Sequence, residues 1–125
     1  DIDRFKEIND NFGHQVGDQA LQRTCEVVQQ SLRPSDILGR IGGDEFVVLL
    51  PNTTLGAADQ IAARVIAHLR GVRVAKTQPL TASFGLAEWQ PGERYESLFM
   101  RADRALYQAK LEGRNRVVAE RLDAG

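Results

Sequence analysis

The chain has 125 residues, 42% of them apolar, and a formal net charge of −1. That apolar share suits one folded domain and excludes an intrinsically disordered chain, while the near-neutral balance excludes a global basic field for drawing in nucleic acid. The single cysteine, Cys25, cannot close an internal disulfide, which suits a reducing compartment; no apolar run is long enough to span a membrane, and no signal peptide is visible.

In chain order, the first periodic segment runs from Asp18 to Leu32, where Leu21, Cys25, Val28 and Leu32 fall at helical spacing. Cys25 is expected to be buried in that stripe. Pro34 disfavours a helical conformation at Arg33 and ends the helix. Two apolar strands follow, Ile37 to Ile41 and Phe46 to Leu50, closed by Pro51. Thr53 or Thr54 is expected to cap a second helix reaching about Leu69, with Ala58, Ile61, Ala62, Val65 and Leu69 facing inward. Gly71 marks its end. Leu80 to Ala87 reads as a strand. Ser97 is expected to cap a third helix to Glu112, with Leu98, Ala102, Ala105, Leu106 and Ala109 on one face, before Gly113 and a last short strand from Asn115 to Ala119. The tail after Glu120 is expected to fray. Three amphipathic helices among short strands imply a two-layer α+β domain, with the strand order left open.

Between the first two strands lie Gly42, Gly43, Asp44 and Glu45, read as the tip of a β-hairpin. The glycines are expected to take positive φ and to leave room for a bulky ligand. Asp44 and Glu45 offer hard oxygen ligands of the kind Mg²⁺ prefers. The plainer alternative, an ordinary polar hairpin turn, is the lesser of the two readings of the tip. His14 has no second His or Cys nearby and reads as a structural loop residue.

Further motifs make the pattern specific. The opening segment DIDRFKEINDNFGHQVGDQAL resembles that of GGDEF-family diguanylate cyclases, which share D-x-D-x-F-K-x-x-N-D-x-x-G-H-x-x-G-D. The pentapeptide GGDEF lies at the family's distance downstream, and Ala102-Asp103 through Ala105-Leu106-Tyr107-Gln108-Ala109-Lys110 and Gly113-Arg114-Asn115 matches its closing motif. The resemblance implies a ferredoxin-like, palm-type α+β fold: an antiparallel-rich sheet with helices packed around it and GGDEF on a β-hairpin turn. It implies one GGDEF domain over residues 1–125, lacking an N-terminal helix and a central first strand that delivers Asp1. A cytoplasmic setting is expected, with any membrane anchor of the parent protein outside this segment.

The same resemblance implies the site roles. Asp1, the carbonyl of Ile2, and Asp44 would hold Mg²⁺ (or Mn²⁺), with Asp3 as a supporting acid. Glu45 would either activate the attacking ribose hydroxyl or tune the metal. Asn9 and Asp18 would read guanine, although Asn and Asp are equally at home as helix caps. Gly42 and Gly43 would admit the nucleotide. Lys6, Lys110 and Arg114 would meet its phosphates, the last two, four residues apart, expected on one helical face. Arg33, Asp36 and Arg64 fall where many family members bind product for feedback inhibition. Arg33-x-x-Asp36 is also an ordinary surface ion-pair spacing. The implied activity condenses two GTP molecules into cyclic di-GMP in a homodimer, with no nucleic acid and no membrane contact. The alternative is a non-catalytic domain that binds GTP or cyclic di-GMP and signals through a partner.

Overall fold

A computed structural model of the protein describes residues 1–74 and 79–120. The predicted frayed tail, residues 121–125, lies outside them. The elements are α1 (Phe5–Phe12), α2 (His14–Gln30), β1 (Ile37–Gly42), β2 (Glu45–Leu49), α3 (Leu55–Leu69), β3 (Phe84–Leu86), α4 (Tyr95–Leu111) and β4 (Val117–Ala119). The chain is a mixed α+β domain with a small antiparallel hairpin sheet.

Helix α1 was not among the expected elements. Phe5, Ile8 and Phe12 carry its helical spacing, but it is short and buries no residue fully. Arg4, at φ 57°, starts it. Gly13, at φ 90°, is the breaker that separates it from α2. That conformation suits glycine, because a Cβ would be strained there. Helix α2 therefore begins at His14, one turn before the expected Asp18, and buries Ala20, Leu21, Thr24, Val27 and Val28. Cys25 is half-buried instead of buried, on the shoulder of that face. Helix α3 is capped by Thr54, whose hydroxyl accepts from the Ala57 N–H at 3.2 Å. Its Val65 and Leu69 join Ala20, Val27, Val28, Val72, Leu80 and Ala82 in the core between α2, α3 and the segments beyond α3. Truncating a residue such as the fully buried Leu69 to alanine would cost about 3 kcal/mol.

Helix α4 starts at Tyr95, and Ser97 is not its cap. The Ser97 hydroxyl donates to Glu93 Oε2 at 3.0 Å instead. Arg101, buried on α4, donates to both Glu93 oxygens at 2.8 and 2.6 Å and to the Glu88 carbonyl at 2.6 Å, pinning the preceding loop to the helix.

Strands β1 and β2 pair antiparallel with Gly42 opposite Glu45, so the turn proper is Gly43-Asp44. Strand β3 is shorter than expected and pairs parallel with β4. It lies so close to α4 that a Cβ on Gly85 would stand 2.1 Å from the Ala102 carbonyl oxygen. Residues 81–83 pair instead with the start of the chain. Asp1 and Ser83 exchange two backbone hydrogen bonds, at 3.0 and 2.9 Å, and the Asp3 N–H donates to Thr81 at 2.9 Å. The two sheets do not pair with each other. Between them lies a cavity of about 720 Å³, walled by Leu38, Val48, Phe84, Leu98, Phe99 and Leu106, with Asp1 and Glu45 also in its lining. No helix among the described residues is long and apolar enough to cross a membrane.

Candidate functional site

The hairpin tip meets the first residues of the chain. The Ile2 N–H donates to the Asp44 carbonyl at 3.3 Å, which fixes the turn beside Asp1. Neither Gly42 nor Gly43 lies in the left-handed region, contrary to expectation. A shift in the strand register between Arg40 and Gly42 shapes the tip. The Arg40 guanidinium then clamps it, donating to the Gly43 carbonyl at 3.1 and 2.7 Å and to Gly42 at 3.3 Å. Open space surrounds the position a Cβ would take on either glycine, so the tip is accessible.

Asp1 is the most unusual group in the site. One carboxylate oxygen, Oδ2, is paired with the ammonium of Lys110 from the end of α4. The other, Oδ1, is buried and has no hydrogen-bond partner among the described residues. A buried, unpaired carboxylate oxygen is costly, and a cation is the ligand that relieves it. Among the described residues no three His, Cys, Asp or Glu side chains cluster as a complete cage. The carboxylates of Asp1 and Asp44 and the main-chain carbonyl of Ile2 are hard oxygen donors, the chemistry that fits Mg²⁺, which keeps waters and takes substrate phosphate oxygens.

Asp3 plays a different part. Its carboxylate accepts from Thr81 Oγ1 at 2.7 Å, Ser83 Oγ at 2.6 Å and the Asn115 N–H at 2.9 Å. With both oxygens occupied it is a tie between the two ends of the domain. Its partner segment is conformationally demanding: Gly113, Arg114 and Asn115 all have positive φ, at 121°, 64° and 49°. This turn carries Arg114 off the end of α4, so Lys110 and Arg114 do not share a helical face as expected. The Arg114 side chain is exposed and makes no hydrogen bond or ion pair among the described residues. Lys6 is exposed on α1. Asn9, half-buried on α1, lies against Gly17, which directly precedes the exposed Asp18 on α2.

Arg33 and Asp36 form a closed unit. Asp36 is fully sequestered and accepts from the Arg33 N–H at 2.7 Å and from its guanidinium at 3.3 and 3.0 Å. These bonds from Arg33 hold the Asp36 carboxyl below its ordinary range. Arg33 also donates to the Pro51 carbonyl at 3.0 Å and to Thr53 Oγ1. Asp36 thus presents no oxygen to a ligand and acts by holding the half-exposed Arg33. Arg64 is exposed on α3.

Two features escaped sequence reasoning, the Arg40 clamp and the tie made by Asp3. An arginine two residues before a glycine turn was the available signal for the first. Nothing local signals the second, because Asp3 and Asn115 stand 112 residues apart.

Comparison with known proteins places these observations. The family model described as "Diguanylate cyclase, GGDEF domain" matches residues 1–116. The chain is 41% identical over 119 residues to the diguanylate cyclase DgcM of Escherichia coli, covering 95% of this chain and 29% of that protein. It is 44% identical over 120 residues to the diguanylate cyclase DgcP of Pseudomonas aeruginosa, covering 94% of this chain and 18% of that one. The chain therefore spans less than a third of the length of these relatives. Among solved structures, the GGDEF domain of DgcB from Caulobacter crescentus, in complex with c-di-GMP, superposes with a TM-score of 0.91 at 34% identity, covering 95% of this chain and 73% of that one. The active GGEEF domain of a diguanylate cyclase from Vibrio cholerae gives 0.92 at 32% identity, covering 98% and 80%. With its intact hairpin tip, its Asp1 pocket and a match along nearly its whole length, the chain belongs to the GGDEF family of diguanylate cyclase domains.

Proposed function

We propose that this domain condenses two GTP molecules into cyclic di-GMP and releases two pyrophosphates. The observation that carries this reading is the pairing of an accessible GGDEF tip with Asp1, whose Oδ1 is buried and unpaired. Asp1, the Ile2 carbonyl and Asp44 would hold Mg²⁺, which when bound neutralises charge on the triphosphate.

Each domain holds one GTP, and two domains face each other antiparallel. The ribose 3′-oxygen of one GTP attacks the α-phosphorus of the other. The new P–O bond forms as the bond to pyrophosphate breaks, and the hydroxyl proton passes to Glu45 or to water. A second, symmetric attack closes the ring. Lys110 and Arg114, with Lys6, offset the negative charge of the phosphates. For Lys110 this means sharing itself between Asp1 and substrate. Asn9 and Asp18 bond the guanine edge, and adenine would leave those groups unpaired. Cyclic di-GMP also acts back on the enzyme through the guanidinium of Arg33, held by Asp36, with Arg64 of a facing domain completing that site. Association of DgcB with c-di-GMP supports product binding by this fold.

The 1–125 segment is part of a longer domain in this reading. An apolar strand leading into Asp1 would extend the pairing of Asp1–Asp3 with Thr81–Ser83 and fill the cavity between the sheets. The test is direct: the full-length protein, incubated with GTP and Mg²⁺, yields cyclic di-GMP by mass spectrometry, and its absence from an otherwise folded, GTP-binding protein would refute the activity.

A further inference from the structure

Two helices meet at Asn9 and Gly17 with no room to spare. A Cβ built on Gly17 would stand 1.8 Å from Asn9 Oδ1 and 2.9 Å from its Cγ, and the next nearest atom is Asn9 Nδ2 at 3.5 Å. The three closest neighbours are thus the far end of one flexible side chain. Gly17 is buried within α2, and its φ is not in the left-handed region, so the helix does not need a glycine there. Alanine is the better helix former. What the missing side chain provides is a slot for the Asn9 carboxamide, set against the backbone immediately before Asp18.

We infer that Gly17 is a positioning residue for nucleobase recognition: the slot it leaves holds the Asn9 carboxamide beside Asp18, so that the two read one guanine together. The inference rests on the guanine role proposed above for Asn9 and Asp18. A methyl group at position 17 would push the carboxamide aside and leave both backbones in place. The contact that is lost is then the one that tells guanine from adenine, while phosphate and metal contacts remain.

The test is a double-mutant cycle in the full-length protein, with GTP and ATP affinities and the melting temperature measured for wild type, Gly17→Ala, Asn9→Ala and the double variant. Gly17→Ala is expected to weaken GTP binding roughly tenfold, the loss of about one good hydrogen bond, and to change ATP binding less than about twofold. Its melting temperature should not fall. In the Asn9→Ala background, Gly17→Ala should change nothing further, because the group it displaces is gone. Additive losses, or equal losses for GTP and ATP, would overturn the inference in favour of simple helix packing. If Gly17→Ala alone fails to fold, the double variant, which lacks the clash, is compared with Asn9→Ala: equal GTP affinity supports the slot, and a further drop overturns it. A wild type without preference for GTP would bring down the guanine site and this inference together. A wild type that prefers GTP, with a Gly17→Ala variant that keeps the preference, would bring down only this inference.

Discussion

Asp1 and Asp36 make an instructive pair. Each is a carboxylate removed from water, with side-chain exposures of 4% and 0%, and each is matched by a more exposed cation, Lys110 at 35% and Arg33 at 49%. They differ in saturation. Asp36 has both oxygens engaged by Arg33, through the backbone and through the guanidinium fork. Asp1 has one oxygen on a point-like ammonium and the other without a partner among the described residues. A saturated carboxylate is a fastener, since its remaining capacity for a ligand is nil. An unsaturated one, kept dry, is poised to take a cation.

The difference can be broken from the Asp1 side first. Asp1→Asn and Asp44→Asn are each expected to lower cyclic di-GMP synthesis by at least about a hundredfold, because a neutral amide would hold the proposed Mg²⁺ poorly and leave the phosphate charge less neutralised. Turnover by mass spectrometry or pyrophosphate release measures it, and near-normal rates in either variant would remove that residue from the site. Lys110→Met should cost less, about tenfold in rate, because in the proposed reading Arg114 and Lys6 would still meet the phosphates. Its sharper signature is a weaker GTP affinity that falls less steeply with added salt, as one charge contact is gone. An unaltered salt dependence would leave Lys110 as a partner of Asp1 alone.

On the Asp36 side the effects should be smaller and of another kind. Arg33→Ala is expected to weaken cyclic di-GMP binding by calorimetry and to straighten progress curves, with initial rates within about threefold of wild type, as for a surface change away from the chemistry. Equal product affinity in the variant would return the pair to a purely structural role. The smallest effect at neutral pH belongs to a third fastener. Arg101 holds the Glu93 carboxyl down to about 2 from an ordinary 4.5. A carboxyl depressed by folding adds stability that is fully present above its unfolded pKa and lost as pH falls through the folded one. Urea midpoints of wild type should therefore decline between pH 4.5 and 2, and Glu93→Gln should flatten that decline. An identical pH dependence in both proteins would show that the pair contributes nothing.

The features legible in sequence were those with a local signal. The hairpin, the long helix α3 with its Thr54 cap, and the two acids of the turn were all written in contiguous residues. Helix α1 was hidden because its apolar spacing runs through Asn9, Asp10 and Asn11, all poor helix formers. Ser97 looked like a cap and is drawn off by Glu93. The positive φ expected at the glycine tip is found instead at Arg114 and Asn115, where tertiary contact with Asp3 stabilises a conformation that neither residue prefers. The pairing of Asp1 with Lys110 had no local trace, since it spans 109 residues.

That tie between Asp3 and Asn115 also governs when the site can exist. Joining residues this far apart costs more loop-closure entropy than a local contact does, so the tie is expected to form after the hairpin and helices. During synthesis residue 115 emerges after nearly all the rest of the domain. A nascent chain that has already displayed its GGDEF hairpin still lacks Lys110 beside Asp1 and the turn that carries Arg114. A chain terminated between the GGDEF hairpin and Asn115 would carry the signature motif without the Asp3–Asn115 tie.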